Sequence, residues 1–211
     1  MPLLGELTGG SISNSWDVFV YPENPESQKP ENVLVTSDMK EAKAAFEKGG
    51  SVLWMPPAKT IRNDSKRPLI AGFSPIFWNT AWTKWQPPHT LGIICDPKHP
   101  AFEKFPTDMH SNWQWWEIQQ NAQPFILTDL RDVKPVVQVI DDWFTNRRLA
   151  YVFEARVGKG KLIACGADLT QTDQRPAARQ LLASLLNYMD GAKFEPSVSI
   201  TLTDLEGLIG P

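Results

Sequence analysis

Two adjacent carboxylates, Asp141 and Asp142, close the apolar run PVVQVI, with Trp143 directly after them and Arg147 and Arg148 a few residues on. Ligands of open α/β sheets bind beyond the carboxyl ends of strands. A carboxylate pair at such an end could hold a cation, fix a sugar hydroxyl, or act as acid and base. Geometry weighs against the last of these. Neighbouring strand residues point to opposite faces, whereas the carboxylates of a glycosidase flank one bond at roughly 5–5.5 Å or 6.5–9.5 Å. In the structural alternative, which is favoured, one aspartate caps the following turn and the other pairs with Arg147 or Arg148.

Other chemistry is sparse. His89, His99 and His110 share no H-x-x-x-H spacing, so a zinc site has little support. His99 precedes a proline and His110 precedes a helix cap, where a structural hydrogen bond is the default. His110 is the better functional candidate because Trp113 and Trp115 follow it closely. Cys95 and Cys165 lie in the apolar runs TLGIICD and KLIACG. They are too few for a disulfide framework or a metal set and read as buried thiols. No G-x-G-x-x-G follows a strand, no Walker lysine is present and no G-x-S-x-G elbow occurs, so no cofactor is expected. Gly158-Lys159-Gly160 reads as a hairpin turn, because a strand rather than a helix follows it.

Tryptophan is the compositional anomaly, with nine in 211 residues. Trp78, Trp82 and Trp85 lie in FWNTAWTKW, and Trp113, Trp115 and Trp116 in HSNWQWW. Indole stacks on flat apolar faces, sugar rings included, while its N–H donates a hydrogen bond. At 100° per residue, Trp113 and Trp116 lie about 60° apart on one helix side, with Trp115 and Ile118 on roughly the opposite side. A helix on a sheet buries one stripe, so both sides cannot face the same core. The expectation is that one packing event buries Trp113 and Trp116. Trp115 and the loop set are then left for a ligand, another domain or a cover formed by the loop itself. Trp16 and Trp54 sit in strand-like runs and read as core.

The elements that must position these residues alternate between strand and helix patterns. Strands are expected at Trp16–Tyr21, Asn32–Thr36, Ser51–Met55, Thr90–Cys95, Pro124–Thr128 and Pro135–Ile140, and a hairpin at Leu149–Val157 and Lys161–Gly166. Asp38 can cap a helix that Gly49 stops, with Glu41 three residues after the cap. Ser111 is the expected cap of the tryptophan helix, with Gln114 at N3. In the helix at Pro176–Met189, Ala178, Leu181, Leu182, Leu185 and Leu186 recur at helical spacing, and Gly191 ends it. Alternation of this kind suggests an α/β domain with a mostly parallel sheet and antiparallel pairing at the late hairpin. Pro56 to Pro88 fits no regular element, and loops of that length are usually functional or interface-forming.

Composition narrows the partners. A formal charge of −3 without a basic stripe argues against nucleic acid, and no apolar run approaches the roughly 18 residues of a membrane span. No signal peptide is visible. Residues 1–14 read as a linker, 15–191 as the α/β domain and 192–211 as a C-terminal extension, so other domains of the same polypeptide are expected partners. A docking surface and a self-association surface look alike in sequence, so a homo-oligomer stays open.

A resemblance joins these threads. The runs FSPIFWNTAWTKWQPPHTLGIICDPKHPAFEKFPTDMHSNWQWW, PVVQVIDDWFTNRRLAYVFEARVGKGKLIACGADL and RPAARQLLASLLNYM resemble a C-terminal accessory domain of bacterial family 2 glycoside hydrolases of the β-galactosidase type. The chain is also similar to the class I glutamine amidotransferase-like fold, which is flavodoxin-like. The glycoside hydrolase resemblance implies carbohydrate degradation and a periplasmic or secreted setting. It carries no catalytic residues over: the strand SVLWM runs into Pro56-Pro57 with no Cys, and no His follows CGAD. The expected role is a non-catalytic accessory domain of a glycosidase. The alternatives are a carbohydrate-binding module using surface Trp with Asp141, Asp142 or His110, and a small hydrolase using Asp141, Asp142 or Glu154. The sugar or partner contacts expected are Trp78, Trp82, Trp85, His110, Trp113, Trp115, Trp116, Asp141, Asp142, Trp143 and Arg147.

Overall fold

The computed structural model describes residues 2–6, 13–23, 25, 30–73, 89–170 and 174–210. Strands β1 (Pro2–Glu6) and β2 (Ser13–Asp17) pair antiparallel as a separate two-stranded sheet. The main domain then runs β3 (Val33–Thr36), α1 (Met39–Glu47), β4 (Ser51–Trp54), β5 (Gly92–Cys95), α2 (Trp113–Gln119), β6 (Phe125–Ile126) and β7 (Pro135–Ile140). It continues through β8 (Arg148–Val157), β9 (Gly160–Cys165), α3 (Pro176–Asp190), β10 (Ser199–Ile200) and α4 (Leu202–Glu206). Short 3-10 turns occupy Ala58–Thr60 and Pro100–Phe102.

The main sheet has the order β3-β4-β9-β8-β7-β5 and is mixed. Its β3-β4-β9 half is parallel, and β9-β8-β7-β5 is antiparallel. The hairpin expected around Gly158 is the junction of the two halves, with Gly158 at positive φ in its turn. Strand β8 is long enough to carry two partners on each edge. β9 and β6 share one edge, and β7 and β10 share the other. Irregular register between β7 and β8 leaves Tyr151 without a β7 partner, and Tyr151 and Val152 then pack on the same side. An extra residue of this kind shifts the alternation of a strand by one.

Both faces are covered, making three layers. One core joins the sheet to α2 and α3 through Trp115, Ile118, Leu181 and Leu185. The other joins it to α1 and α4 through Ala42, Phe46, Leu205 and Leu208. Local chemistry sets the ends of α1. Asp38 accepts from the N–H groups of Lys40 and Glu41, and Gly49 takes up φ +78 after the last turn. Glu41 does not close a capping box; it accepts from the Thr36 hydroxyl at 2.5 Å. The helix expected at Pro176–Met189 is α3, with Gly191 as its C-cap.

Residues 192–210, expected as an extension, are integral to the second core. Ile200 and Leu205 are buried there, and the Arg62 N–H donates to the Leu208 carbonyl at 2.9 Å. Of the expected strand Trp16–Tyr21, only Trp16 and Asp17 are strand, at the end of β2, and residues 18–21 are not. Cys95 and Cys165 are buried free thiols as expected. Burial pushes the Cys95 thiol up to about 11 and the Cys165 thiol up to about 12. Trp78, Trp82 and Trp85 lie outside the described residues.

Candidate functional site

The carboxylate pair sits where β7 ends, and both members are buried. Asp141 Oδ2 accepts from Arg147 N at 2.6 Å and Nε at 2.8 Å, and its Oδ1 accepts from Nη2 at 3.0 Å. Asp142 Oδ1 accepts from the N–H groups of Phe144 and Thr145, capping the turn, and its Oδ2 meets Arg147 Nη2 at 3.3 Å. Arg147 Nη1 donates to the Arg67 carbonyl at 2.7 Å and lies 3.6 Å from Asp64. Burial would raise the Asp141 carboxyl, but the hydrogen bonds and charge of Arg147 outweigh it and hold the group below the ordinary carboxylate range. The favoured structural alternative therefore holds. One aspartate caps, the other pairs, and the guanidinium ties residues 64–67 to the end of β7. Trp143 and Phe144 project from this turn and are exposed.

The tryptophan helix reverses the expected burial. Trp115 is 0% exposed, while Trp113 is 74% and Trp116 46% exposed. Trp115 packs edge-on against Phe102 and Phe105, with centroids 6.3 and 5.5 Å away, and donates its N–H to Thr107 Oγ1 at 2.8 Å. The cap also differs from the expected one. Asn112, not Ser111, accepts from Gln114 N, and the Ser111 hydroxyl instead accepts from Ile93 N at 2.9 Å. That contact needs Gly92, where a Cβ would meet Ser111 Oγ at 2.5 Å on a backbone of φ +142. Trp115 therefore leaves the contact set, and Trp113 and Trp116 join Trp143 as its exposed tryptophans among the described residues.

Trp113 is a ridge between two grooves. On one flank, a groove of about 470 Å³ is lined by Phe73, Asp108, Asn112 and Trp116. On the other, a groove of about 250 Å³ is lined by Tyr21, Gln114, Glu117 and Ala177. Asp17 and Phe19 line both. Phe73 lies 5.9 Å from Trp116. The polar groups are held in place by the fold, as a preorganised site requires. Asp108 accepts from Asn112 Nδ2 at 3.1 Å, Glu117 accepts from Ala178 N at 3.0 Å, and Gln114 accepts from the Tyr21 hydroxyl. The Tyr21 hydroxyl is pushed up by burial and by the Glu117 charge.

Of the histidines expected to be structural by default, His99 makes such a bond. His99 Nδ1 accepts from Ala101 N at 3.2 Å and caps the 3-10 turn. His110 is exposed, and its backbone bridges Ile94 of edge strand β5. It neighbours α2 in sequence but does not line either groove beside Trp113. No group of three or more His, Cys, Asp or Glu among the described residues could hold a metal ion, and no described helix is long and apolar enough to cross a membrane.

A third feature had no counterpart in the sequence reading. The carboxyl ends of β3, β4 and β9 open into a cleft of about 810 Å³, lined by Ser37, Pro56, Pro57, Lys59, Asn121 and Asp168 among others. Among the described residues, no Cys or His lines it. Strand ends of a parallel sheet are the general signal for such a cleft, but Asn121 reaches it from beyond α2, which spacing cannot show.

With this geometry in view, comparison with known families places the chain. A family model described as a domain of unknown function, DUF8487, covers residues 34–210. The chain belongs to the DUF8487 family. The DUF8487 match takes in almost all of the main sheet and runs through α4, so the family unit includes β10 and the last helix along with both cores. The Trp113 ridge, the Asp141–Arg147 network and the strand-end cleft all fall within it, except for the β2-side wall formed by residues 17–21. No curated protein matches the chain.

Proposed function

We propose that this domain is a non-catalytic accessory domain of a multidomain bacterial glycoside hydrolase, and that its Trp113 face binds neutral glycan. One observation carries the reading. An indole exposed at 74% stands between two grooves whose walls offer carboxylates and amides. Aromatic faces pack on apolar C–H surface, and the flanking Asp17, Asp108, Asn112 and Glu117 supply acceptors for ring hydroxyls. No Lys or Arg lines either groove among the described residues. The walls are therefore acidic and disfavour uronate or sulfated chains. The parallel β3-β4-β9 half with helices on both faces supports kinship with the flavodoxin-like, amidotransferase-like fold. The same reading puts the protein in the periplasm or outside the cell, where polymeric glycans are met.

A second reading is favoured by a different observation. Ile94, Ile140, Met109 and Phe144 are exposed near edge strand β5 and the β7 turn. Apolar surface of this kind suits packing on another domain of the polypeptide. Titration with a neutral β-linked galacto-oligosaccharide, followed by tryptophan fluorescence, separates the two. Glycan binding predicts a saturable change that Trp113→Ala weakens about tenfold, equivalent to ~1.4 kcal/mol, with an oligogalacturonate giving none. A flat response to every neutral oligosaccharide leaves domain packing as the reading.

A further inference from the structure

The cleft at the carboxyl ends of β3, β4 and β9 is separate from the Trp113 face and shares no lining residue with it. Its position is structural in origin. The chain leaves β3 for α1 on one face of the sheet and leaves β9 toward α3 on the other. Connections that part to opposite faces leave a crevice at the strand ends, and ligands of α/β sheets bind there. A volume of about 810 Å³ falls within the range of small-molecule sites.

The lining decides the ligand class. Anion sites at strand ends depend on free backbone N–H groups and the start of a helix, and the one α-helix that starts at this cleft, α1, has its first N–H groups already engaged. Pro56 and Pro57 have no N–H to offer where β4 exits. At α1, the N–H groups of Lys40 and Glu41 are taken by the Asp38 side chain, and that of Ala42 by the Asp38 carbonyl. Lys59 and Asp168 line the cleft as one charge of each sign, and Glu41 stands one hydrogen bond behind Thr36 in its wall. What the cleft does offer is mixed donors and acceptors. The side chains of Ser37, Lys59 and Asn121 make no hydrogen bond or ion pair among the described residues. Asp168 Oδ1 is oriented by the N–H and hydroxyl of Thr170 at 2.9 and 2.7 Å. Val35, Met55 and the two prolines provide an apolar surface beside them.

We propose that this cleft is a second binding site, for a neutral, hydroxyl-rich small molecule of sugar or polyol size. Hydroxyls both donate and accept, which matches a wall carrying an amide, a hydroxyl, an ammonium and a carboxylate. A phosphate would meet the Asp168 carboxylate there and a fixed cation the Lys59 ammonium.

The test is a ¹H–¹⁵N NMR titration of the full chain with galactose, glucose, sorbitol and inositol, alongside inorganic phosphate and glutamate. At least one neutral polyol is expected to give saturable shifts at Ser37, Asn121 and Thr170. The Ser37→Ala/Asn121→Ala double variant should weaken that binding about tenfold with melting unchanged, because neither side chain is bonded within the protein. Trp113→Ala should leave it intact. Tighter binding of phosphate or glutamate, wild-type affinity in the double variant, or no saturable shift with any of the four neutral compounds overturns the proposal. Loss of the cleft signal alone leaves the Trp113 reading standing, and loss of glycan binding at Trp113 alone leaves this one.

Discussion

Replacing Asp141 with Asn asks whether the carboxylate pair is a structural clamp. The substitution keeps the shape, removes the charge and leaves one acceptor oxygen. Asp141 accepts three hydrogen bonds from Arg147, at 2.6, 2.8 and 3.0 Å, and its side chain is almost fully buried. Removing one partner of a buried pair costs about 3–5 kcal/mol. Arg147 keeps Asp142 at 3.3 Å and Asp64 at 3.6 Å, so about 2–3 kcal/mol is expected. For a domain of this size that corresponds to roughly 4–12 °C in Tm. The sign with pH follows from the lowered Asp141 carboxyl. A carboxylate held below its unfolded value stabilises the fold fully above that unfolded value, and the contribution is lost as pH falls through the folded value. The gap between wild type and Asp141→Asn should therefore be level from neutral pH to about 5 and shrink below about 4. Urea unfolding at several pH values measures it. A gap under about 0.5 kcal/mol at neutral pH, within the range of ordinary surface changes, refutes the clamp. So does a gap that does not respond to pH.

Further outcomes follow from burial. Trp115→Ala should destabilise by about 3–5 kcal/mol, measured by chemical unfolding, because Trp115 fills the space between Phe102 and Phe105. Trp113→Ala should stay within about 0.5 kcal/mol of wild type in the same assay. Both thiols should resist a thiol reagent at pH 8 in the folded protein and react on unfolding. Cys165 is buried with its thiol pushed up to about 12, and Cys95 up to about 11, so little thiolate exists to attack. A chain ending at residue 191 should lose cooperative unfolding in a thermal melt, because it removes Ile200, Leu205 and Leu208 from the second core. A cooperative transition at the wild-type temperature would show that core to be complete without them.

The parts of the fold legible in sequence are those decided by near neighbours. Asp38 and Gly49 bound α1, the apolar spacing after Pro176 marks α3, and Gly158 marks the hairpin, since caps, helical periodicity and turns act over a few residues. The roles of Asp141, Asp142 and Arg147 were legible for the same reason, because all three lie within seven residues, whereas the ties of Arg147 to Asp64 and Arg67 were not. The phase of α2 was not. Ile118 shares a stripe with Trp115, and that aliphatic partner is the signal for which side goes inward. Its weight depends on Phe102 and Phe105, which reach the helix only through the tertiary fold.

From the sequence alone came an α/β chain with two buried thiols, a hairpin, a turn-capping aspartate pair and a surplus of tryptophan. Only the tertiary structure decided that β5 joins the antiparallel half, that residues 192–210 complete a core, and that Trp113 and Trp116 rather than Trp115 meet solvent. It also drew Ser37, Lys59, Asn121 and Asp168 around one cleft. The physical reason is common to all of these. Strand pairing and burial depend on contacts between residues far apart in the chain, and no local preference of α2 could choose between two aromatic sides before the sheet and α3 were in place beneath one of them.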